Sequence, residues 1–231
     1  MIERRHCENI TILSTSVADF VAKQLRAALY QNNVASLVIP GGNTPKIFLP
    51  TLARLSLQWE KVVVTLSDER WVSTDSEGSN ENLLQNYFFN YMENKAHFIS
   101  LKTDHDHPSQ ALSTINQRLS QLPLPINLTI LGLGEDGHIA SIFPGSPISS
   151  SLSHSLCEVA VPPASPSIRI SLAFSLLISS HQIIIVVIGE NKRKYLEQFI
   201  NSQDTRIPFV RLIQQTRSPI TIFESNESGN I

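Results

Sequence analysis

The sequence predicts an α/β fold: a single domain over residues 1–231, with a mostly parallel sheet flanked by helices on both faces. Two features of the pattern lead there. Short apolar runs rich in β-branched residues recur without polar–apolar alternation, as strands covered on both faces require. Between them lie stretches whose apolar residues recur at spacings of three and four, the period of one helix face. Strand–helix alternation implies right-handed crossovers, which bring the carboxyl ends of the strands to one edge. Ligands bind at that edge in open sheets, so the residues just after each apolar run are where function is sought.

The elements follow in chain order. "ITIL" (10–13) reads as a strand and "SVADFVAKQLRAALYQN" (16–32) as a helix, because Phe20, Val21, Leu25, Ala28 and Leu29 share one face. "SLVIP" (36–40) is a strand that leaves through Gly41 and Gly42 into a helix with Thr44 at the N-cap and Pro45 at its first position. Pro50 is expected to kink or shorten that helix. "KVVVTLS" (61–67) is a strand followed by the loop "DERWVSTDSEGSN" (68–80), in which Ser79 and Asn80 form either a helix cap or a wall of the site. "DHDHP" (104–108) reads as a solvated loop opening the amphipathic "SQALSTINQRLSQL" (109–122). "INLTILGLG" (126–134) and "QIIIVVIG" (182–189) are buried strands, the second preceded by a helix. "ISSSLSHSL" (148–156) and "VPPASPS" (161–167) read as surface loops, and the polar "ESNESGNI" (224–231) as a frayed tail.

Composition narrows the function. The chain has 231 residues, 42% of them hydrophobic, enough for a sizeable core, and a net charge of −2 with no basic block. That leaves no electrostatic footprint for nucleic acid or an anionic membrane, and points to a small-molecule partner. Cys7 and Cys157 are the two cysteines, without CxxC spacing, which fits a reducing compartment. The first residues, "MIERRHCENITIL", lack the pattern of a secretory signal, and the most membrane-like stretch (170–189) ends in too short an unbroken apolar run to span. A cytoplasmic protein, monomer or homodimer, is expected.

Three loops and one helix start carry the chemistry. Gly41 and Gly42 let the backbone approach a ligand, and the amides of Asn43 and Thr44 at a helix start favour an anion such as phosphate. The motif is not a P-loop, because no Gly-Lys-Ser/Thr follows. Arg70 can pair with phosphate, while Asp68 can orient a sugar hydroxyl or a catalytic base. In "LGLGEDGHIASIFPG" (131–145) the glycines turn the chain at a strand end and present Glu135, Asp136 and His138. The acids two and three positions before His138 can set its tautomer and basicity. Lys192 stands in the first turn of a helix after Gly189, and Arg169 in "SIRISL" is a further cation. No GxSxG or HExxH pattern is present, so a water nucleophile with a histidine base fits better than a serine nucleophile or a metal.

Taken in order, "PGGNTP", "DERWV" with a trailing "SN", "GLGEDGHIASIFPG", "RISL" and "GENK" resemble the 6-phosphogluconolactonase family, which shares its Rossmann-like fold with glucosamine-6-phosphate isomerases/deaminases. The resemblance covers nearly the whole chain. It implies hydrolysis of 6-phosphoglucono-δ-lactone to 6-phosphogluconate in the oxidative pentose phosphate pathway, with no metal and no organic cofactor. It implies His138 as general base, Arg70 and Lys192 as phosphate ligands beside Gly41 and Gly42, and Asp68 and Asp136 as positioning acids. Oxyanion stabilisation is expected from amides around Gly134 to Gly137 and from Arg70. The chain departs from the family pattern at Pro40 and Asn43, where serines are frequent, and at Ile139, where lactonases usually carry threonine. "DGHIA" also occurs in the deaminase branch, which stays open as an alternative, as does a sugar-phosphate sensor; "ASIFPG" and "DERWV" favour the lactonase.

Overall fold

Seven strands form one sheet in the order β1-β10-β9-β6-β2-β3-β5 in a computed structural model that describes residues 1–146, 155–163 and 167–227. Along the chain the elements are β1 (Ile2–His6), α1 (Ile10–Asn32), β2 (Ala35–Ile39), α2 (Thr44–Ala53), β3 (Val62–Leu66), β4 (Asp68–Arg70), α3 (Asn80–Tyr87), β5 (His97–Ile99) and α4 (Pro108–Leu119). There follow β6 (Leu128–Leu131), β7 (Cys157–Ala160), β8 (Arg169–Leu172), α5 (Phe174–Ile178), β9 (Gln182–Ile188), α6 (Glu190–Ile200), α7 (Pro208–Gln215) and β10 (Ile220–Ser225). Every pairing in the large sheet is parallel. All residues of β2 and β9 are buried, so helices cover both faces there, as their unbroken apolar sequence demands.

The order places a topological switch point between β2 and β6. From β2 the chain moves through β3 to β5, and from β6 it moves the other way through β9 to β10. Loops leaving neighbouring strands in opposite directions open a crevice at their carboxyl ends. The loops that flank it are those that begin at Pro40 and at Gly132.

Several sequence expectations are corrected. "ITIL" is the start of α1, not a strand: Asn9 caps it, accepting the Ile12 N–H at 2.9 Å, and Leu13 is fully buried while Ile12 is 41% exposed. That one-sided burial is helical, and the strand is the polar, exposed β1 before it, which survives as an edge through pairing with β10. Thr44 is the first residue of α2 rather than its cap, a place Asn43 takes without a side-chain hydrogen bond, and the helix continues past Pro50 to Ala53. A frayed tail does not begin at residue 224, because β10 runs to Ser225 with Glu224 held by Arg4 and Arg193 at 2.8 and 3.0 Å. Residues 228–231, and the parts of the two serine-rich loops at 147–154 and 164–166, lie outside the described residues.

β4, like β1, has no strand signal in its sequence. β4, β8 and β7 form a small antiparallel sheet on which Arg70 stands directly opposite Arg169. "DER" is too short and too charged to read as a strand. Among the described residues no helix is long and apolar enough to cross a membrane.

Candidate active site

The crevice holds a cavity of about 310 Å³. It brings together Gly41, Gly42, Asn43, Thr44, Asp68, Arg70, His138, Arg169 and Lys192, so each site residue expected from sequence lines it except Asp136. Pro40 lines it as well, whereas Ile139 is fully buried in the core between the cavity-lining His138 and Ala140. The Ile139 departure therefore does not face the cleft, and the Pro40 and Asn43 departures do.

The histidine loop is built from close packing. His138 accepts the Gly134 N–H on its carbonyl at 3.0 Å, and Gly134 accepts the Gly137 N–H at 3.0 Å, which closes a tight turn. The imidazole lies against Gly134 so closely that a Cβ there would stand 2.1 Å from Nδ1. Gly137 has φ +80, a left-handed value that side-chain-bearing residues rarely adopt, and α7 holds this turn through the Phe209 N–H to the Gly137 carbonyl at 3.0 Å. The amides of Gly134 and Gly137 are thus consumed inside the loop, which takes those two out of the set of amides expected to stabilise an oxyanion.

Asp136 sits behind the imidazole of His138. One oxygen, Oδ1, accepts the His138 backbone N–H at 3.0 Å and lies 2.6 Å from Nδ1. A carboxylate can only accept, so Nδ1 carries the proton and Nε2 is the nitrogen left free to take one. The Phe143 ring, 4.9 Å from the imidazole centroid, packs the ring on another side.

Asp68 does not take part in that pair. Its carboxylate accepts Ser67 Oγ at 2.9 Å and Ser141 Oγ at 2.6 Å, with Arg169 Nη1 4.0 Å away. Ser141 is a partner of Asp68 that sequence reading missed, because a buried serine in "HIASIF" carries no signal of its partner 73 positions away. Glu69 next door turns inward, is fully buried, and accepts the backbone N–H groups of Arg70, Asn80 and Glu81 at 2.7, 2.8 and 2.8 Å and the Ser79 hydroxyl at 3.0 Å. Burial pushes its carboxyl up, against the pull of these donors. Glu69 thereby staples the start of α3 to β4; Ser79 is the N-cap, and Asn80 is both the first helical residue and a wall of the cavity.

The cations have unspent donors. Arg70 gives Nη1 to the Gly78 carbonyl at 2.7 Å, while the Nε of Arg70 and of Arg169 are buried with no hydrogen-bond partner. Burial lowers the affinity of the Arg169 guanidinium for its proton, Asp68 opposes that, and the Arg70 charge adds to it. Two guanidiniums facing each other across paired strands repel unless an anion joins them. Lys192 is in the first turn of α6 and makes no hydrogen bond or ion pair among the described residues.

Among the described residues no cluster of three or more His, Cys, Asp or Glu is placed to hold a metal. His107 of the "DHDHP" stretch caps α4 instead, reciprocally with Gln110, and Trp71 packs over that loop with its indole N–H on the His105 and Asp106 carbonyls.

Fold and cleft define the class: an α/β protein whose parallel sheet carries, at its carboxyl edge, a histidine–aspartate pair facing a cluster of cations. The family model for glucosamine-6-phosphate isomerases/6-phosphogluconolactonase matches residues 8–222, and the chain belongs to that family. A 6-phosphogluconolactonase of Pseudomonas putida is 36% identical over 85% of this chain and 83% of its own length. That of Rhizobium meliloti is 31% identical over 94% of this chain and 95% of its own. The crystal structure of a 6-phosphogluconolactonase from Shewanella baltica superposes with a TM-score of 0.90 at 31% identity, covering 97% of this chain and 98% of that one.

Proposed function

We propose that this chain hydrolyses 6-phospho-D-glucono-1,5-lactone to 6-phospho-D-gluconate, in the cytoplasm and as a step of the oxidative pentose phosphate pathway. The observation that carries the reading is the His138–Asp136 pair at 2.6 Å on one wall of a cavity whose other walls bear Arg70, Arg169 and Lys192. The names of the relatives supply the substrate.

Arg70, Arg169 and Lys192, with the uncapped amides at the start of α2, hold the phosphate. Anchoring that end fixes the lactone carbonyl near His138, which supplies most of the orientation the reaction needs. Nε2 removes a proton from water as its oxygen bonds to the carbonyl carbon, and Asp136 stabilises the imidazolium so formed. The tetrahedral intermediate collapses by breaking the bond to the ring oxygen, which takes the proton back from Nε2. The new carboxylic acid then ionises. Asp68, fixed by two serine hydroxyls, orients the substrate from the β4 side.

The test is the hydrolysis rate of freshly generated 6-phosphogluconolactone, corrected for spontaneous opening, beside unphosphorylated gluconolactone. Strong acceleration of the phosphorylated lactone alone is expected. His138→Asn should lower kcat by about 10²–10⁴-fold, the span of general-base contributions, while still binding 6-phosphogluconate. A variant with wild-type turnover removes His138 from the role of base.

A further inference from the structure

We propose that Asn80 recognises a hydroxyl of the bound sugar phosphate through its side-chain oxygen, Oδ1, and so sets which sugar the cleft accepts. The proposal rests on the phosphosugar reading above and adds a residue to it.

Asn80 is 1% exposed and lines the cavity. Its amide has only one consistent orientation. Nδ2 donates to the Asp68 carbonyl at 2.8 Å, and a carbonyl can only accept, so the oxygen must be the atom on the other branch. That oxygen is buried and has no hydrogen-bond partner. Buried polar atoms are nearly always satisfied, and an unsatisfied one beside a ligand cavity marks a bond that the ligand completes.

The partner must be a donor. Phosphate oxygens at neutral pH are acceptors and are repelled by Oδ1, while the donors left over in the same cavity, the Nε atoms of Arg70 and Arg169, suit them. The cavity therefore divides its polar work between cations for the phosphate and a neutral acceptor for a hydroxyl. Asn80 is also held rigidly, with its backbone N–H on Glu69 Oε1 at 2.8 Å and its amide against Gly41, where a Cβ would lie 2.0 Å from Oδ1. A fixed acceptor loses little freedom when the ligand arrives, which favours selectivity over a mobile one.

Calorimetry with the full chain tests this, using 6-phosphogluconate and its four analogues lacking the hydroxyl at C2, C3, C4 or C5. Wild type should bind one analogue about tenfold more weakly than the parent, since its loss leaves a buried oxygen unpaired. Asn80→Ala should bind the parent about tenfold more weakly and show no further loss with that analogue, because both partners of the bond are then gone. Asn80→Ser, a good residue at a helix start, serves as a second variant should alanine impair folding. Equal binding of all five ligands by wild type overturns the proposal without any variant, and so does the same analogue penalty in the variants as in wild type. Lactone turnover by wild type, measured alongside, reports separately on the reaction. Turnover without hydroxyl discrimination sinks only the Asn80 assignment, and discrimination without turnover sinks only the lactonase reading.

Discussion

Replacing Gly134 by alanine should displace the imidazole that we propose as the base while leaving the residue itself in place. The added Cβ would lie 2.1 Å from His138 Nδ1, 2.3 Å from Cε1 and 2.7 Å from Cγ. Ordinary non-bonded contact is about 3.5 Å, so the ring has to retreat by roughly 1.4 Å. The backbone itself can accept alanine, because Gly134 is absent from the glycines with positive φ, which among the described residues are Gly42, Gly137, Gly145 and Gly189. The damage is therefore confined to the imidazole and to its 2.6 Å contact with Asp136. Misplacing a reacting group by about 1 Å costs about 10²-fold, equivalent to roughly 2.7 kcal/mol of barrier. We expect kcat for 6-phosphogluconolactone to fall about 10²-fold, within the ceiling that loss of a general base allows. KM should change little, since Arg70, Arg169 and Lys192 stand on other elements. The assay is the corrected lactone hydrolysis rate across substrate concentration, with a thermal melt to confirm folding. A folded Gly134→Ala protein with kcat within twofold of wild type refutes the placement of His138 as the base.

Two further outcomes concern buried carboxylates, Glu69 beside the cavity and Glu224 on β10. Glu69→Gln replaces one accepting oxygen with a donor, leaving at least one of the donors now on that oxygen unpaired: Arg70 and Asn80 N–H on Oε1, or Ser79 Oγ and Glu81 N–H on Oε2. It should cost about 3 kcal/mol and lower Tm by about 6 °C or more, and an unchanged melting curve rules the staple out. At Glu224, burial opposes ionisation, but the hydrogen bonds from Arg4 and Arg193 outweigh it and hold the carboxyl below its ordinary range. A depressed carboxyl adds stability above the unfolded-state value of about 4.3 and loses it as pH falls through the folded value. Glu224→Gln should thus cost about 2 kcal/mol at neutral pH, with the gap to wild type closing in acid. Urea unfolding at pH 7 and below pH 4 measures it; a gap that stays constant or widens in acid contradicts the pairing.

Local sequence pattern was enough for the layered class of the fold and for the sheet edge on which the cleft opens. Unbroken apolar runs such as 183–188 can be buried on both faces only in a covered parallel sheet, and glycine-rich exits after "SLVI" and "LTIL" mark the carboxyl ends. The same local logic failed where partners are remote. Nothing in "IERRH" announces a strand, because β1 exists through its register with β10, from Ile2 opposite Ile220 to His6 opposite Glu224. Nothing in "DER" announces that Glu69 turns inward to cap α3 while Asp68 and Arg70 turn to the cleft; alternation along β4 decides it, and β4 is defined by pairing with β8. Only the tertiary structure set Arg70 opposite Arg169, gave Asp136 rather than Asp68 to His138, and left the Asn80 oxygen without a partner. The physical reason is range. Periodicity and turn chemistry act over a few residues and are written locally, whereas hydrogen bonds and charge pairs depend on distances that the chain fixes only when it closes.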